Sequence, residues 1–275
     1  MLYLIYVKNV VRMVIMQNNM YDLTTPQKLI WFTEEVFKGT SIGNITGTVI
    51  IPNKVNFAVL EQAINFYVEK NDSFRLRFIM QNNQLKQYVE VFNKFHIDII
   101  KVNTNQDLKK VEDEIVSTVF DVFNSLLFKF IMLQFPDGHG GFIINMHHLI
   151  SDAWSAGLGA SEIIKIYTCL LKNESIDVIT YPSYIDYINS EQEYMASQRF
   201  DKDKTFWVSS FKSVPETTFI PGSVALKDNS SFIANREQFT ISKTLLREIN
   251  ELCKKHKFSI FSCLFLLFIL VKFLV

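Results

Sequence analysis

Residues 146–155 read MHHLISDAWS; they follow an apolar segment at 141–146 and precede a segment with helical spacing that begins near Ser155. His147, His148 and Asp152 are therefore expected where a strand passes into a helix, at a sheet edge that exposes side chains on a rigid scaffold. Histidine is the usual proton-transfer group near neutral pH, and aspartate can orient a neighbour or neutralise an arginine. These three residues form the candidate site.

Spacing alone leaves the role of this stretch open. Two adjacent histidines after an apolar strand are often one packed residue and one surface residue. A zinc site is less favoured, because consecutive strand residues point to opposite faces and no cysteine lies nearby in sequence. A Ser-His-Asp hydrolase is weakly supported, since the chain has no GxSxG motif.

The pattern His147-His148-x-x-x-Asp152, extended by Trp154 and Ser155, resembles the HHxxxDG active-site motif of condensation domains of nonribosomal peptide synthetases. These domains belong to the chloramphenicol-acetyltransferase-like superfamily. The resemblance implies an α/β (α+β sandwich) fold, with a mixed, largely antiparallel sheet flanked by helices.

The resemblance also implies a role for each motif residue. His148 would either take the proton from an attacking amine or hydrogen-bond the tetrahedral intermediate, His147 would orient the loop, and Asp152 would be structural. Ala153 stands where the family has glycine, so a positive φ at this position would be strained. Trp154 and Ser155 would support the motif.

An earlier segment, LTTPQKLIWF at residues 23–32, predicts a helix start with a threonine cap, an early proline and a capping-box glutamine. Leu29, Phe32 and Val36 then recur on one face, as in an amphipathic helix. The segment also resembles the opening motif of condensation domains, in which Gln27 and Trp31 are the matching residues.

Residues 70–78, KNDSFRLRF, change to a period of two and predict a strand with Arg75 and Arg77 on one face, where arginines are usually solvated. The stretch resembles the family's RHExLRTxF motif, although Lys70, Asn71 and Asp72 depart from its first half. Arg75 falls on the motif arginine. The resemblance therefore implies a structural, buried ion pair between Arg75 and Asp152.

Tyr184, Asp186 and Tyr187 resemble the family's Y-x-D-(F/Y) motif, and Tyr184 and Asp186 are taken as motif-supporting residues. The same cluster is also explained by a helix cap followed by an amphipathic helix.

Composition bounds the class of protein. The chain has 275 residues, 48% of them hydrophobic, with formal net charge zero, which suits a sizeable core in one or two domains. Balanced charge gives no electrostatic reason to expect nucleic acid or a membrane as partner. Three cysteines, Cys169, Cys253 and Cys263, have no paired or metal-type spacing, which suits a reducing cytoplasm.

Three regions are expected along the chain: a leader of uncertain status at 1–19, an N-terminal condensation subdomain at 20–220, and the truncated beginning of a second subdomain at 221–275. Residues 258–275 are nearly all apolar, with Lys272 inside. We expect a helix of the second subdomain there rather than a membrane span. Because much of that subdomain is absent, its apolar surface would be partly uncovered and open to self-association.

The resemblance implies amide formation between a carrier-bound acyl or peptidyl thioester and a carrier-bound amino acid. Carrier proteins and adenylation modules would be the partners. No metal or tightly bound cofactor is implied, and phosphopantetheine would arrive on the carriers. Two alternatives stay open, a non-catalytic remnant or carrier-docking module and an O-acyltransferase of the same superfamily. Whether this chain is itself an enzyme is left open.

Overall fold

The computed structural model describes residues 20–123, 125–211, 213 and 240–274. The expected leader at 1–19 lies outside these residues. The sequence is also loop-like at 221–230 and strand-like at 236–241, and these two predictions fall entirely and largely outside the described residues. Contacts divide the chain into two compact units, with the boundary between Lys202 and Asp203. The boundary predicted at residue 220 lies in the part that is not described, so it stays a prediction.

The first unit alternates strands and helices. Its strands are β1 (Tyr21–Asp22), β2 (Asn44–Lys54), β3 (Leu76–Gln81), β4 (Gln84–Val89), β5 (Ile99–Lys101), β6 (Phe128–Gln134) and β7 (His139–His147). Its helices are α1 (Thr25–Val36), α2 (Phe57–Lys70), α3 (Asn105–Val116), α4 (Ala153–Leu171) and α5 (Tyr184–Met195), and α6 (Gln198–Ser210) crosses the boundary between the units.

Two sheets organise the first unit. The larger has the order β2-β7-β6-β5 and is antiparallel except for the parallel pair β5–β6. The smaller has the order β1-β4-β3 and is antiparallel throughout. Helices α2 and α4 pack against each other beside this framework. The predicted fold class, a mixed and largely antiparallel sheet flanked by helices, is confirmed.

The buried residues of the core follow the spacing expected of helices and strands. On α2, Leu60, Ala63 and Ile64 are fully buried, three or four residues apart as an inward helical face requires. Strand β7 is buried along its length except at its first residue, since it lies in the interior of the larger sheet. This central strand carries the histidine pair at its end.

Helix α1 reverses the expected burial. Leu29, Phe32 and Val36 are exposed, whereas its buried residues are Gln27 and Glu34. The predicted capping box at Thr24 is present, and its Gln27 side chain continues into the interior. Apolar periodicity thus identified the helix but assigned the wrong face to the core of this unit.

Residues 70–78 also differ from the prediction. A 3-10 turn, Asp72–Arg75, precedes β3, so Arg75 and Arg77 do not share one strand. Arg77 is buried rather than solvated, because its guanidinium pairs with Glu90 at 2.9 Å.

The second unit contains two further helices, α7 (Lys243–His256) and α8 (Ile260–Leu274). Several large side chains of α8 are exposed, among them Phe261, Phe265 and Phe268. A helix is thus present at Ile260–Leu274, within the expected segment, and exposes large apolar side chains. Among the described residues, no helix combines the length and the apolarity needed to cross a membrane.

Candidate functional site

The histidine pair lies at the carboxyl end of β7, where the backbone is held from both sides. The amide of His147 donates to the Leu127 carbonyl at 2.9 Å, and the amide of His148 donates to the Gly43 carbonyl at 2.8 Å. The side chains then diverge, as consecutive strand residues do. His147 is 2% exposed, whereas His148 is exposed and lines a cleft.

The buried ring of His147 has a defined protonation pattern. Its Nδ1 accepts a hydrogen bond from the Leu149 amide at 3.1 Å, so Nδ1 carries no proton. Its Nε2 lies 3.1 Å from Glu34 Oε2 and therefore donates to that carboxylate. Burial lowers the pKa of His147, although the Glu34 carboxylate opposes this shift. Below its pKa this ring would need a proton on Nδ1 and would lose the Leu149 bond.

Gly43 lies directly against the ring of His147. A Cβ built on Gly43 would lie 2.5 Å from His147 Nε2, closer than real Cβ atoms approach. The absence of a side chain at this position therefore makes room for the imidazole ring.

Gln27 holds the loop between the histidines and the aspartate. Its Nε2 donates to the Leu149 carbonyl at 3.0 Å and to Gln87 Oε1 at 2.9 Å, and its Oε1 accepts from Gln87 Nε2 at 2.8 Å. The Thr24 amide also donates to Gln27 Oε1 at 3.0 Å. Helix α1 thus contacts both neighbours of His148, through Glu34 on His147 and Gln27 on Leu149.

Asp152 is exposed and acts as the N-cap of α4, where its carboxylate accepts a hydrogen bond from the Ser155 amide at 2.7 Å. Hydrogen bonding by Ser155 lowers the pKa of Asp152, and the charge of His148 contributes in the same direction. In this structure Asp152 therefore caps a helix, and its predicted structural role in the site stays a prediction.

The predicted pair between Arg75 and Asp152 is wrong. The Arg75 guanidinium donates through Nη1 to the Glu90 carbonyl at 2.9 Å, beside a different cavity from the one that Asp152 lines. The prediction rested on the resemblance to the family motif; in the structure Arg75 is the last residue of the 3-10 turn and bonds the backbone at Glu90.

The remaining residues of the motif are exposed. Ala153 is the first residue of α4 and is not among the described residues with positive φ, so alanine is unstrained there. Trp154 is 83% exposed, and Ser155 lines the cleft. Trp31 is half-buried and packs edge-on against Phe123 at 5.6 Å.

The two residues predicted from the Y-x-D-(F/Y) resemblance, Tyr184 and Asp186, have different surroundings. Tyr184 lines the cleft, and its hydroxyl lies 3.4 Å from Thr24 Oγ1. Burial raises the pKa of Tyr184 to about 12, so it remains a neutral hydroxyl. Asp186 is exposed in the first turn of α5 and is not part of the cleft lining. The Tyr184 amide donates instead to Asp72 at 2.8 Å, so Asp72 holds the start of α5.

We call the cleft beside His148 the histidine cleft. It has a volume of about 510 Å³. The beginnings of α1, α4 and α5 and the end of α2 contribute to it, and its polar lining includes Gln27, Tyr67, His148, Asp152, Ser155 and Tyr184. Within the described ranges, no three His, Cys, Asp or Glu side chains group as metal ligands.

Sequence reasoning missed Glu34, Gln87 and Asp72. A signal existed for Glu34, since it follows Gln27 by seven residues and therefore lies two turns later on the same helix face. Gln87 carried no such signal, because its amide pairs with Gln27 across 60 residues of sequence.

The sequence matches a known protein family and several of its members. The family model for the condensation domain matches residues 17–271. Surfactin synthase subunit 1 of Bacillus subtilis is 32% identical over 260 residues, covering 90% of this chain and 7% of that protein. A plipastatin synthase from the same organism is 29% identical over 252 residues, with 90% and 10% covered.

Solved structures give the same fold. A variant of the starter condensation domain of rhizomide synthetase, in complex with C8-CoA, has a TM-score of 0.70 at 18% identity, covering 77% of this chain and 50% of that one. The first condensation domain of the CDA synthetase has a TM-score of 0.64 at 16% identity, with 72% and 51% covered. This chain therefore spans about half of each solved domain and a tenth or less of the two synthases. The protein belongs to the condensation domain family of nonribosomal peptide synthetases.

Proposed function

We propose that this chain contributes the histidine half of a condensation site, in which an amine attacks a thioester and an amide forms. The observation that carries the proposal is the environment of His148. Its ring is exposed in the histidine cleft, while the backbone on both sides of it is fixed by buried hydrogen bonds. A positioned but accessible imidazole is what proton transfer or intermediate stabilisation requires.

The proposed reaction has one bond formed and one broken. The amine nitrogen of the acceptor attacks the carbonyl carbon of the donor thioester and gives a tetrahedral intermediate. The intermediate collapses with cleavage of the C–S bond, the product is an amide, and the thiolate takes up a proton. His148 accepts the proton from the amine nitrogen or hydrogen-bonds the intermediate.

Two features of the cleft support this role. The Asp152 carboxylate lines the same cleft as His148 and is held in place by its hydrogen bond from the Ser155 amide at 2.7 Å. Tyr67 and Tyr184 line the same cleft as neutral hydroxyls, since burial raises the pKa of each to about 12. Because a free α-amino group has a pKa of about 7.7–8.0, positioning could supply much of the rate.

The proposed substrates are a carrier-bound acyl or peptidyl thioester and a carrier-bound amino acid. Phosphopantetheine arms on the carriers would present both groups, and adenylation modules would load them. Membership of the condensation domain family supports these partners. The structural neighbour in complex with C8-CoA is a reason to test an acyl-CoA donor as well.

The test measures amide formation by mass spectrometry with loaded carriers, with acyl-CoA in place of the donor carrier, and with an alcohol in place of the amine. The chain is assayed alone and joined to the complementary half of a homologous condensation domain. His148→Ala is the test variant. His96→Ala is the matched control, because His96 is also exposed but contacts Glu61 away from the histidine cleft.

Amide product that depends on His148 and not on His96, in either form, supports the proposal. Product from the chain alone would add that the second half is dispensable or is replaced by self-association through 258–275. A His148-dependent ester with no amide would favour the O-acyltransferase alternative. No product in either form, with carrier binding retained, would overturn the proposal in favour of a docking module.

A further inference from the structure

A second cavity, of about 290 Å³, lies where the end of β4 meets the segment before β6. We call it the arginine cavity. Its charged lining residues are Arg75, Arg77, Glu90 and Lys94. Among the described residues it shares only Phe74 with the histidine cleft, so it is a separate binding space.

The charges of the arginine cavity do not balance. Arg77 is buried and is paired with the Glu90 carboxylate at 2.9 Å. Of the described residues that line the cavity, Glu90 is the only acidic one. Arg75, which is half-buried, therefore has no carboxylate of its own there, and Lys94 adds a second positive charge at the exposed rim. A cation that is partly removed from water and lacks a counter-charge is unfavourable.

One donor of Arg75, its Nε–H, also lacks a hydrogen-bond acceptor among the described residues. Its Nη1 donates to the neutral Glu90 carbonyl at 2.9 Å, but its Nε is buried and has no acceptor among the described residues. A buried donor without an acceptor costs about 1–3 kcal/mol. A guanidinium binds carboxylates particularly well, because its planar N–H groups match the two oxygens.

The rest of the lining is largely apolar. Phe92, Phe95, Phe128 and Leu126 surround the charged groups together with Val68 and Phe74. The amide and carbonyl of Phe95 are both bonded to the buried Asn65 side chain, at 2.9 and 3.0 Å, so one aromatic wall is fixed. Such walls favour a ligand with an apolar body as well as a charge.

We propose that the arginine cavity binds a small carboxylate with an aromatic or short aliphatic body. The carboxylate lies at Arg75 and supplies its missing counter-charge, and the apolar body packs against the apolar lining of the cavity. The proposal uses no residue of the histidine pair and does not depend on the proposed function.

The test titrates the full chain with phenylacetate in a buffer free of carboxylates, followed by calorimetry. Phenylacetamide has the same shape without the charge, and inorganic phosphate has charge without the apolar body. Phenylacetate is expected to bind, and both comparison compounds are expected to bind about tenfold or more weakly.

Two variants and one control locate the phenylacetate binding site. Arg75→Gln is expected to weaken phenylacetate binding about tenfold or more, through loss of the charged hydrogen-bond donor. Leu126→Trp is a second variant that leaves Arg75 and Arg77 in the sequence. Leu126 is 46% exposed and lines the cavity, so the larger tryptophan ring is expected to fill the cavity and reduce binding. His148→Ala is the control and should bind phenylacetate unchanged.

Three results would overturn the proposal. Equal binding of phenylacetamide would remove the charge argument. Loss of binding in His148→Ala but not in Arg75→Gln or Leu126→Trp would place the ligand in the histidine cleft. Absence of binding by the wild-type chain would mean that water alone satisfies Arg75.

Discussion

His147 and His148 are consecutive residues with opposite surroundings. His147 is enclosed by Glu34, Gly43 and the Leu149 amide, so its tautomer is fixed and its ring cannot exchange protons with a substrate. His148 has the accessible ring, and only its backbone is held. Strand alternation sends these neighbours to opposite faces, so only His148 is accessible for the proposed chemistry, whereas His147 is held inside the fold.

The largest expected effect separates the two histidines by activity. In an active form of the domain, His148→Ala should lower the rate of amide formation by about 10²- to 10⁴-fold, the usual contribution of a proton-transfer group. Its free energy of unfolding should change by no more than about 0.5 kcal/mol, as for other exposed positions. Kinetics and chemical denaturation of the same variant measure both. A large loss of stability would contradict the division of roles.

Glu34 tests the buried side of the comparison. Glu34→Ala should lower the free energy of unfolding by about 1.5–3 kcal/mol, because it removes a hydrogen bond to a charged group and leaves the Nε2–H of His147 without an acceptor. Glu34→Gln keeps an acceptor and should cost less. Glu35→Ala is the matched control, since Glu35 is exposed and pairs with Lys38 on the surface of the helix. Equal losses in the Glu34 and Glu35 variants would show that the His147 contact contributes nothing.

Gly43 tests whether space, rather than hydrogen bonding, also holds the buried ring. Gly43→Ala should cost about 1–3 kcal/mol, because its Cβ would overlap the imidazole of His147. Gly157→Ala is the control, since a Cβ there meets nothing within 4 Å and alanine favours the helix by up to about 1 kcal/mol. The unfolding temperatures of the Gly43→Ala and Gly157→Ala variants should therefore shift in opposite directions. Nitrogen chemical shifts of the His147 ring would report its displacement directly.

Asp152 distinguishes a helix cap from a buried ion pair. If the carboxylate only caps α4, Asp152→Ala should cost about 0.5–2 kcal/mol and Asp152→Asn close to nothing, because asparagine caps equally well. A buried ion pair would make either change cost about 3–5 kcal/mol. Chemical denaturation of both variants decides between these outcomes. A loss of about 3–5 kcal/mol of unfolding free energy in Asp152→Asn would support a buried ion pair instead of a cap.

The smallest expected effect is a dependence on pH. The pKa of His147 is lower in the folded chain than in the unfolded chain, so between those two values the unfolded chain binds more protons. Stability should therefore fall as pH drops below about 6.5, by at most about 1.4 kcal/mol per pH unit for this residue. His147→Gln should remove that part of the slope in unfolding titrations between about pH 7 and 5, although Glu34 and His148 also face this ring. An unchanged slope would mean that His147 is not the group responsible.

Local patterns predicted the parts of this molecule that depend on a few neighbouring residues. The Thr24 capping box and the strand-to-helix passage at His147 both belong to this group. The errors concern contacts between distant segments. Arg75 bonds the Glu90 carbonyl instead of Asp152. The apolar face of α1 lies outward because polar Gln27 and Glu34 have buried partners far along the sequence.

The hydrogen bonds from α1 to the histidine loop have a consequence for how the chain folds. Gln27 reaches Leu149 across 122 residues, and Glu34 reaches His147 across 113. Contacts of such separation close large loops and form slowly relative to local structure. During synthesis, α1 is made long before the segment that it holds. The histidine pair should therefore acquire its final arrangement late, in the step that completes the subdomain.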